Sequence, residues 1–279
     1  MSLDYKLVLR LGIQSVLRNA GASLSFSWPW LLLFAIVSVI LTYFVWQSGF
    51  GRTPLSPEQG TGTFLLAYVI GMLMVLIGIC SIAVLWHRFI LLDEFPGVMQ
   101  RLRVDAPVWR YVWRAILIGL LAILICLIPM ILLVTLMFSV LSVDPMSAGA
   151  TQQLPIGTFI VIYLFLWIVW TFVSAVAFRF CLALADAALG QNQIGIFESW
   201  RRTKGLFGSL LALSACVTFL NFAWQIVLDL VFRAIGPLSA YTDAVARILV
   251  GLPAFWFFTF LGITLITSLY GHIVQKRPL

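Results

Sequence analysis

The chain has 279 residues, of which 62% are hydrophobic and only 10% are charged, and its mean hydropathy is +1.08. Soluble globular domains carry about 25% charged residues, so the composition excludes that class. A net charge of +7 would suit nucleic-acid binding in a soluble protein. Here we interpret it as a signal of membrane orientation and of attraction to anionic lipid, and we expect no nucleic-acid partner.

Six apolar segments follow one another along the chain. Each is near or above the roughly 20 residues that cross a bilayer as a helix. They cover residues 29–47, 62–86, 115–141, 157–178, 206–232 and 245–271. Because the connectors are short, we expect a single integral membrane domain over residues 1–279. The predicted fold class is all-α, a polytopic membrane protein with six transmembrane helices.

The basic residues lie almost entirely in alternate connectors. If the N-terminus is cytoplasmic, fourteen of the seventeen lysines and arginines are cytoplasmic, and only Arg52, Arg233 and Arg247 lie outside. Cytoplasmic connectors of membrane proteins carry this excess of Lys and Arg. We therefore predict that both termini are cytoplasmic.

The first segment, residues 3–18, has helical spacing. Lys6, Arg10, Gln14 and Arg18 share one face, and apolar side chains gather on another. This pattern is typical of an amphipathic helix at the headgroup boundary. A helix docked on the rest of the protein is an equally good interpretation.

Two parts of the chain resemble each other. Gly62-Thr63-Phe64 opens the second span and Gly157-Thr158-Phe159 opens the fourth. These spans end at Arg88 and Arg179, and each arginine is followed after 21 residues by a Trp-Arg pair. The pattern predicts three parallel hairpin repeats, each with a cytoplasmic interfacial helix. Their approximate bounds are 1–88, 89–188 and 189–279.

Arg88 and Arg179 are each followed by a short apolar run. If the helix continues along the inner leaflet, these arginines are placed to bind lipid phosphate. Simple snorkelling anchors are the alternative. The full set of candidate headgroup contacts is Arg88, Arg179, Arg201, Arg202 and Lys204.

The fifth span carries a polar stripe whose members step by three or four residues and therefore share one helical face. The stripe consists of Ser214, Thr218, Asn221, Gln225, Asp229 and Arg233. One hypothesis is a hydrated path or substrate cavity beside this span. The other is helix–helix contact, with Asp229 paired to Arg233 and with partners such as Thr171, Ser174 and Thr259, at about 1 kcal/mol per hydrogen bond. We favour contact, because no other span offers a matching charged residue at mid-depth.

Catalytic and metal-binding patterns are absent from the sequence. The two histidines, His87 and His272, have no carboxylate or thiol at ligand spacing, so we interpret them as interfacial polar residues. The four cysteines are isolated and are interpreted as packed free thiols. We therefore predict a protein that is not an enzyme and uses no metal or other cofactor.

The segment Gly195-Ile196-Phe197-Glu198-Ser199-Trp200-Arg201-Arg202-Thr203-Lys204-Gly205 precedes the fifth span. It resembles the corresponding segment of UPF0259, a six-helix bacterial inner-membrane family, and of the membrane domain attached to some glycerophosphodiester phosphodiesterases. The resemblance covers residues 179–270. It implies a bacterial inner-membrane location and, at most, lipid handling. No phosphodiesterase catalytic domain is present, so hydrolysis is not implied.

These observations favour a non-enzymatic scaffold or accessory protein of the inner membrane that contacts anionic lipids. A membrane-protein partner or a homo-oligomer would fit that role. The alternative is a small transporter or lipid-moving protein that uses the polar face of the fifth span.

Overall fold

The structure is a computed structural model that describes residues 3–47, 61–141, 156–191, 193–236 and 239–277. Residues 48–60 and 142–155 of the first two predicted outer connectors, and with them Arg52, lie outside these residues. The described parts of the chain are helical. In chain order the helices are α1 (Tyr5–Arg18), α2 (Ala20–Gln47), α3 (Thr61–Leu92), a 3-10 turn (Val98–Leu102), α4 (Ala106–Leu141), α5 (Ile156–Phe180), α6 (Leu182–Leu189), α7 (Ile196–Arg202), α8 (Phe207–Ile235) and α9 (Ala240–Ile273).

Six of these helices, α2, α3, α4, α5, α8 and α9, are long and apolar enough to cross a membrane. Apart from Leu206, which precedes α8, they contain the six predicted apolar segments, so the prediction of an all-helical, multi-pass membrane protein is confirmed. Several continue beyond the apolar segment; α3, for example, runs to Leu92. The α8 helix packs closely along α5 and only sparsely along α9, its neighbour in sequence.

The packed core is concentrated at one end of the bundle. We call this the basic end, and it is where segments 93–105 and 181–206 connect the helices. Large side chains such as Trp86, Leu210 and Tyr270 are fully buried there. Towards the opposite end α4 exposes Leu124 and Ile128, by 66% and 70%. Apolar exposure of this kind is expected where a helix faces lipid, since lipid tails are as apolar as leucine.

The α1 helix docks on the basic end. Val8 and Val16 are buried. A Cβ atom on Gly12 would lie 2.9 Å from Cδ2 of Leu265, so the glycine permits a close approach of α1 to α9. The cationic side chains of α1, in contrast, are exposed: Lys6, Arg10 and Arg18. The contacts are those of a docked helix, and headgroup contact by the exposed face remains a prediction.

The α6 helix is inside the protein. The apolar run after Arg179 was expected to lie along the inner leaflet, but all eight residues of α6 are buried, packed against α3, α4 and α9. Half of them are alanines, whose small side chains allow this close packing. Gly190 ends the helix with a φ of 75°, a conformation that favours glycine.

The two predicted repeat units differ in their connectors. The first contains a 3-10 turn, whereas the second contains α6 and α7. Trp200 stacks on Phe180 with ring centroids 4.8 Å apart, whereas Trp109 at the equivalent position is 52% exposed. The side chains of the two Gly-Thr-Phe motifs lie outside the described part of the structure. The internal repeat therefore stays a prediction.

Candidate functional site: the polar face of α8

Near its middle the polar face of α8 contacts α5. The hydroxyl groups of Thr218 and Thr171 lie 2.8 Å apart, within hydrogen-bond distance. One turn away, the indole N–H of Trp167 donates to the carbonyl oxygen of Ala215 at 3.2 Å. Here the side chains join two helices, as the helix-contact hypothesis expected.

Asp229 joins three helices at the end of the bundle opposite the basic end. Its carboxylate accepts hydrogen bonds from the Tyr163 hydroxyl at 2.7 Å and from the Arg247 guanidinium at 2.5 Å. Arg247 also donates to Asp243 at 2.7 Å. The sequence suggested Arg233, on the same helix, as the partner of Asp229. In the structure, Asp229 instead accepts hydrogen bonds from residues of α5 and α9. The spacing of residues within α8 does not predict where these two helices lie.

The amides of Asn221 and Gln225 behave differently. Neither side chain forms a hydrogen bond with any residue that the structure describes. Both line cavities: Asn221 borders two of them and Gln225 borders one. Asn221 is partly exposed and Gln225 is exposed, so at these two positions the polar face of α8 opens to the surface of the bundle rather than to the polar groups of a neighbouring helix.

Three cavities follow one another along α8, and we call them together the α8 crevice. Their volumes are about 290, 380 and 310 Å³. The first and second share Val217 and Thr218, and the second and third share Asn221 and Phe258. The crevice extends from Ser214 to Gln225, which corresponds to roughly 16 Å along a helix. It exists because α8 packs on α5 and leaves space towards α9.

The lining of the crevice is uncharged. The lining combines aliphatic side chains, aromatic rings such as those of Trp170 and Phe258, and hydroxyl and amide groups, and it includes no Asp, Glu, Lys or Arg among the described residues. The Ser214 hydroxyl and the Trp224 indole nitrogen are buried without a hydrogen-bond partner among the described residues. A buried polar group left unpaired costs about 1–3 kcal/mol. Beside a cavity, such a group can be paired by water or by a bound molecule.

A second polar centre, which sequence reasoning missed, lies at the basic end. Nη1 of Arg114 donates to Oδ2 of Asp186 at 3.1 Å and to the carbonyl oxygen of Ala183 at 2.6 Å. The Asp186 side chain is fully buried, and its other oxygen accepts from the backbone N–H of Gln193 at 3.2 Å. The available signal was a lone aspartate in an alanine-rich apolar run.

His87 is a buried residue that links helices, and its predicted position near the membrane interface stays a prediction. Nδ1 lies 2.8 Å from the Thr267 hydroxyl and Nε2 lies 3.4 Å from the Tyr111 hydroxyl. The ring therefore connects α3, α9 and α4. Nδ1 of His272 lies 3.2 Å from the carbonyl oxygen of Arg277. Among the described residues, no three His, Cys, Asp or Glu side chains come close enough to hold a metal ion.

Two of the candidate headgroup arginines have partners inside the protein. Arg88 binds both carboxylate oxygens of Glu94, at 2.7 and 2.9 Å. The guanidinium carbon of Arg179 lies 3.5 Å from the centre of the Trp200 ring, and Nη2 donates to the Trp200 carbonyl at 3.0 Å. These contacts stabilise the basic end and occupy groups that a lipid phosphate would need.

The other candidate cations lie at the surface. Arg201 and Arg202 both pair with Glu198, and their side chains are 79% and 41% exposed. Hydrogen bonds from Arg202 and Arg201 hold the pKa of Glu198 below its ordinary value. Lys204 is also exposed. Of the five predicted headgroup contacts, these three remain accessible.

Comparisons with known protein families, with curated proteins and with solved structures find no match for this chain.

Proposed function

We propose that this chain is a non-enzymatic, multi-pass membrane protein that binds and moves a lipid-like molecule through the α8 crevice. The observation that carries the proposal is that Asn221 and Gln225 line connected cavities and have no hydrogen-bond partner among the described residues. Pure helix–helix contact would give these amides a partner on another helix. The sequence favoured helix–helix contact for this face of α8, whereas this observation favours a binding crevice.

The crevice has the physical properties of a ligand site. Each of its cavities is close to or within the range of roughly 300–1,000 Å³ that is usual for small-molecule sites. Inside a bilayer, polar groups must be satisfied by protein, water or a bound molecule, because hydrocarbon offers no hydrogen bonds. A bound molecule with a polar atom near Ser214 or Asn221 satisfies this requirement.

The lining also indicates the class of ligand. Amide, hydroxyl and indole groups bind neutral oxygen atoms, and the described lining residues include no cation to balance a phosphate. Aromatic side chains supply the apolar surface that a hydrocarbon chain needs. We therefore expect a long-chain molecule whose polar group is an uncharged ester, amide or alcohol.

The location is part of the same proposal. We place the protein in a bacterial inner membrane, and the one-sided distribution of Lys and Arg supports an orientation with both termini in the cytoplasm, which makes the basic end cytoplasmic. The resemblance of residues 179–270 to UPF0259 adds support for this location and for lipid handling.

Two glycines allow the crevice to be filled by design. A Cβ atom on Gly251 or Gly262 would meet no atom within 4 Å, and both residues line the crevice. Gly119 on α4 has equally open surroundings and lines none of the three cavities, so it is a matched control. Gly251→Leu and Gly262→Leu should therefore reduce the free volume without a clash with neighbouring residues.

The experiment is photo-crosslinking of the purified protein with a diazirine-bearing diacylglycerol, followed by peptide mapping. Crosslinks are expected in α8 and α9 around Asn221 and Phe258. They should fall in Gly251→Leu and Gly262→Leu and persist in Gly119→Leu. Equal crosslinking in all three variants, or crosslinks confined to the outer surface of the bundle, would contradict the proposal.

A scaffold or accessory role is the second candidate, and the exposed surface of α7 favours it. Phe197 is 80% exposed, and Arg201 four residues later is 79% exposed, so one helical face presents an aromatic ring beside a cation. This face suits a protein partner or anionic headgroups. A photoreactive side chain at position 197 should crosslink a partner in cells, and crosslinking to lipid alone would argue against a protein scaffold.

A further inference from the structure

A fourth cavity lies apart from the α8 crevice, between α1 and α8. It has a volume of about 420 Å³ and is lined by one face of α1 together with Cys216 of α8. Most of the lining is apolar, with Leu9 and Ile13 among its residues, and the exposed side chains of Lys6 and Arg10 border it. We call this cavity the α1 groove.

The two cations of the α1 groove have no partner among the residues that the structure describes. Neither Lys6 nor Arg10 makes a side-chain hydrogen bond or an ion pair with any residue of the described chain. Arg88, by contrast, pairs with Glu94, and Arg114 pairs with Asp186. Lys6 and Arg10 are four residues apart, which places them on the same face about one helical turn from each other. Two neighbouring cations that pair with no described residue attract an anion to this face of α1.

The position of the groove suits a lipid headgroup. The α1 helix docks on α9 through Val8, Gly12 and Val16 at the basic end. In the orientation indicated by the basic residues, this end meets the cytoplasmic leaflet, whose anionic lipids attract Lys and Arg. The apolar part of the groove lies beside the charged part, so it offers the two surfaces that a phospholipid needs.

We propose that the α1 groove binds one anionic phospholipid of the cytoplasmic leaflet. Lys6 and Arg10 hold its phosphate, and an acyl chain lies along Leu9, Ile13 and Cys216. This site shares helix α8 with the α8 crevice but none of the lining residues, and its ligand is different. The crevice is uncharged and takes a neutral molecule, whereas the groove is cationic and takes an anion.

Cys216 provides a reporter for the groove in the unmodified protein. Cys80, Cys126 and Cys181 are buried, and Cys216 is partly exposed. In detergent micelles, phosphatidylglycerol should slow the reaction of Cys216 with N-ethylmaleimide, and phosphatidylcholine should leave it unchanged. Inorganic phosphate should also leave the rate unchanged, because it has no acyl chain to cover the thiol. Equal protection by both phospholipids, or by neither, would overturn the proposal.

The variants test whether Lys6 and Arg10 select the lipid. Each basic residue near a membrane surface strengthens anionic binding about fivefold, so Lys6→Gln with Arg10→Gln should raise the phosphatidylglycerol concentration for half-protection roughly 25-fold. Arg18→Gln removes the same charge from the same helix outside the groove, and protection should persist. If Arg18→Gln and Arg10→Gln act equally, the attraction is non-specific and the site is refuted. Crosslinking in the α8 crevice should be unaffected, so the two proposals fail independently.

Discussion

The guanidinium of Arg114 on α4 binds the fully buried carboxylate of Asp186 on α6 at 3.1 Å. The same guanidinium nitrogen donates to the carbonyl oxygens of Ala183 and Ile194. This single side chain therefore joins α4 to α6 and to the segment before α7. Because the core is concentrated at this end of the bundle, we expect the pair to be important for its assembly.

Removal of one partner of this pair should be strongly destabilising. Arg114→Ala leaves the buried carboxylate of Asp186 without its cationic partner. Asp186→Ala leaves the guanidinium of Arg114 without its carboxylate acceptor. Such losses typically cost about 3–5 kcal/mol. The measurement is the unfolding temperature of the purified protein in detergent. Glu198→Ala, which breaks an exposed pair, is the control and should change the unfolding temperature little.

The double variant Arg114→Met with Asp186→Leu should be less destabilised than Arg114→Ala with Asp186 retained. Apolar side chains of similar volume remove both charges at once, and this exchange is often neutral. If the double variant were the least stable of these variants, the pair would stabilise the protein by more than the neutralisation of two buried charges.

The loss of His87 should weaken the connection between α3, α4 and α9. His87→Leu leaves the buried Tyr111 and Thr267 hydroxyls without the imidazole, at a cost of about 1–3 kcal/mol. His272→Leu, at the end of α9, is the matched control and should have a much smaller effect on the unfolding temperature. Similar losses in both variants would contradict the helix-linking role of His87.

The two amides of the crevice should contribute little to stability. Asn221→Leu and Gln225→Leu remove no hydrogen bond within the described protein, so their unfolding temperatures should match or exceed that of the wild type. Thr218→Val removes the contact with Thr171 and should lose about 0.6 kcal/mol, the average for such bonds in membranes. If the amide variants prove less stable than Thr218→Val, Asn221 and Gln225 act in helix contact and the crevice proposal is weakened.

The carboxyl group of Glu198 should make a small contribution to the pH dependence of the unfolding temperature. Its pKa is lowered in the folded protein by hydrogen bonds from Arg202 and Arg201, so it contributes stability above the ordinary carboxyl pKa. That contribution is lost as the pH falls through the lowered pKa. The unfolding temperature of wild type should therefore slightly exceed that of Glu198→Gln at neutral pH, and the difference should vanish in acid. A difference that grew in acid would have the wrong sign.

The six membrane helices were predictable because the length and polarity of an apolar segment are properties of the local sequence. The polar face of α8 was predictable for a similar reason, since helical periodicity alone places Thr218, Asn221 and Gln225 on one side. The alanine-rich run that forms α6 was misread as a surface segment, because an apolar pattern does not distinguish burial in protein from burial in lipid.

The sequence by itself thus determined that this protein threads six apolar helices and concentrates positive charge at one end. Only the tertiary structure decided which group or cavity each polar side chain contacts. Asp186 accepts a hydrogen bond from Arg114, which is 72 positions away in the sequence. The hydroxyl groups of Thr218 and Thr171 are within hydrogen-bond distance, whereas Asn221 lines a cavity. These contacts depend on the distances between helices. The packing of whole helical faces sets those distances, and the spacing of residues within one helix does not predict them.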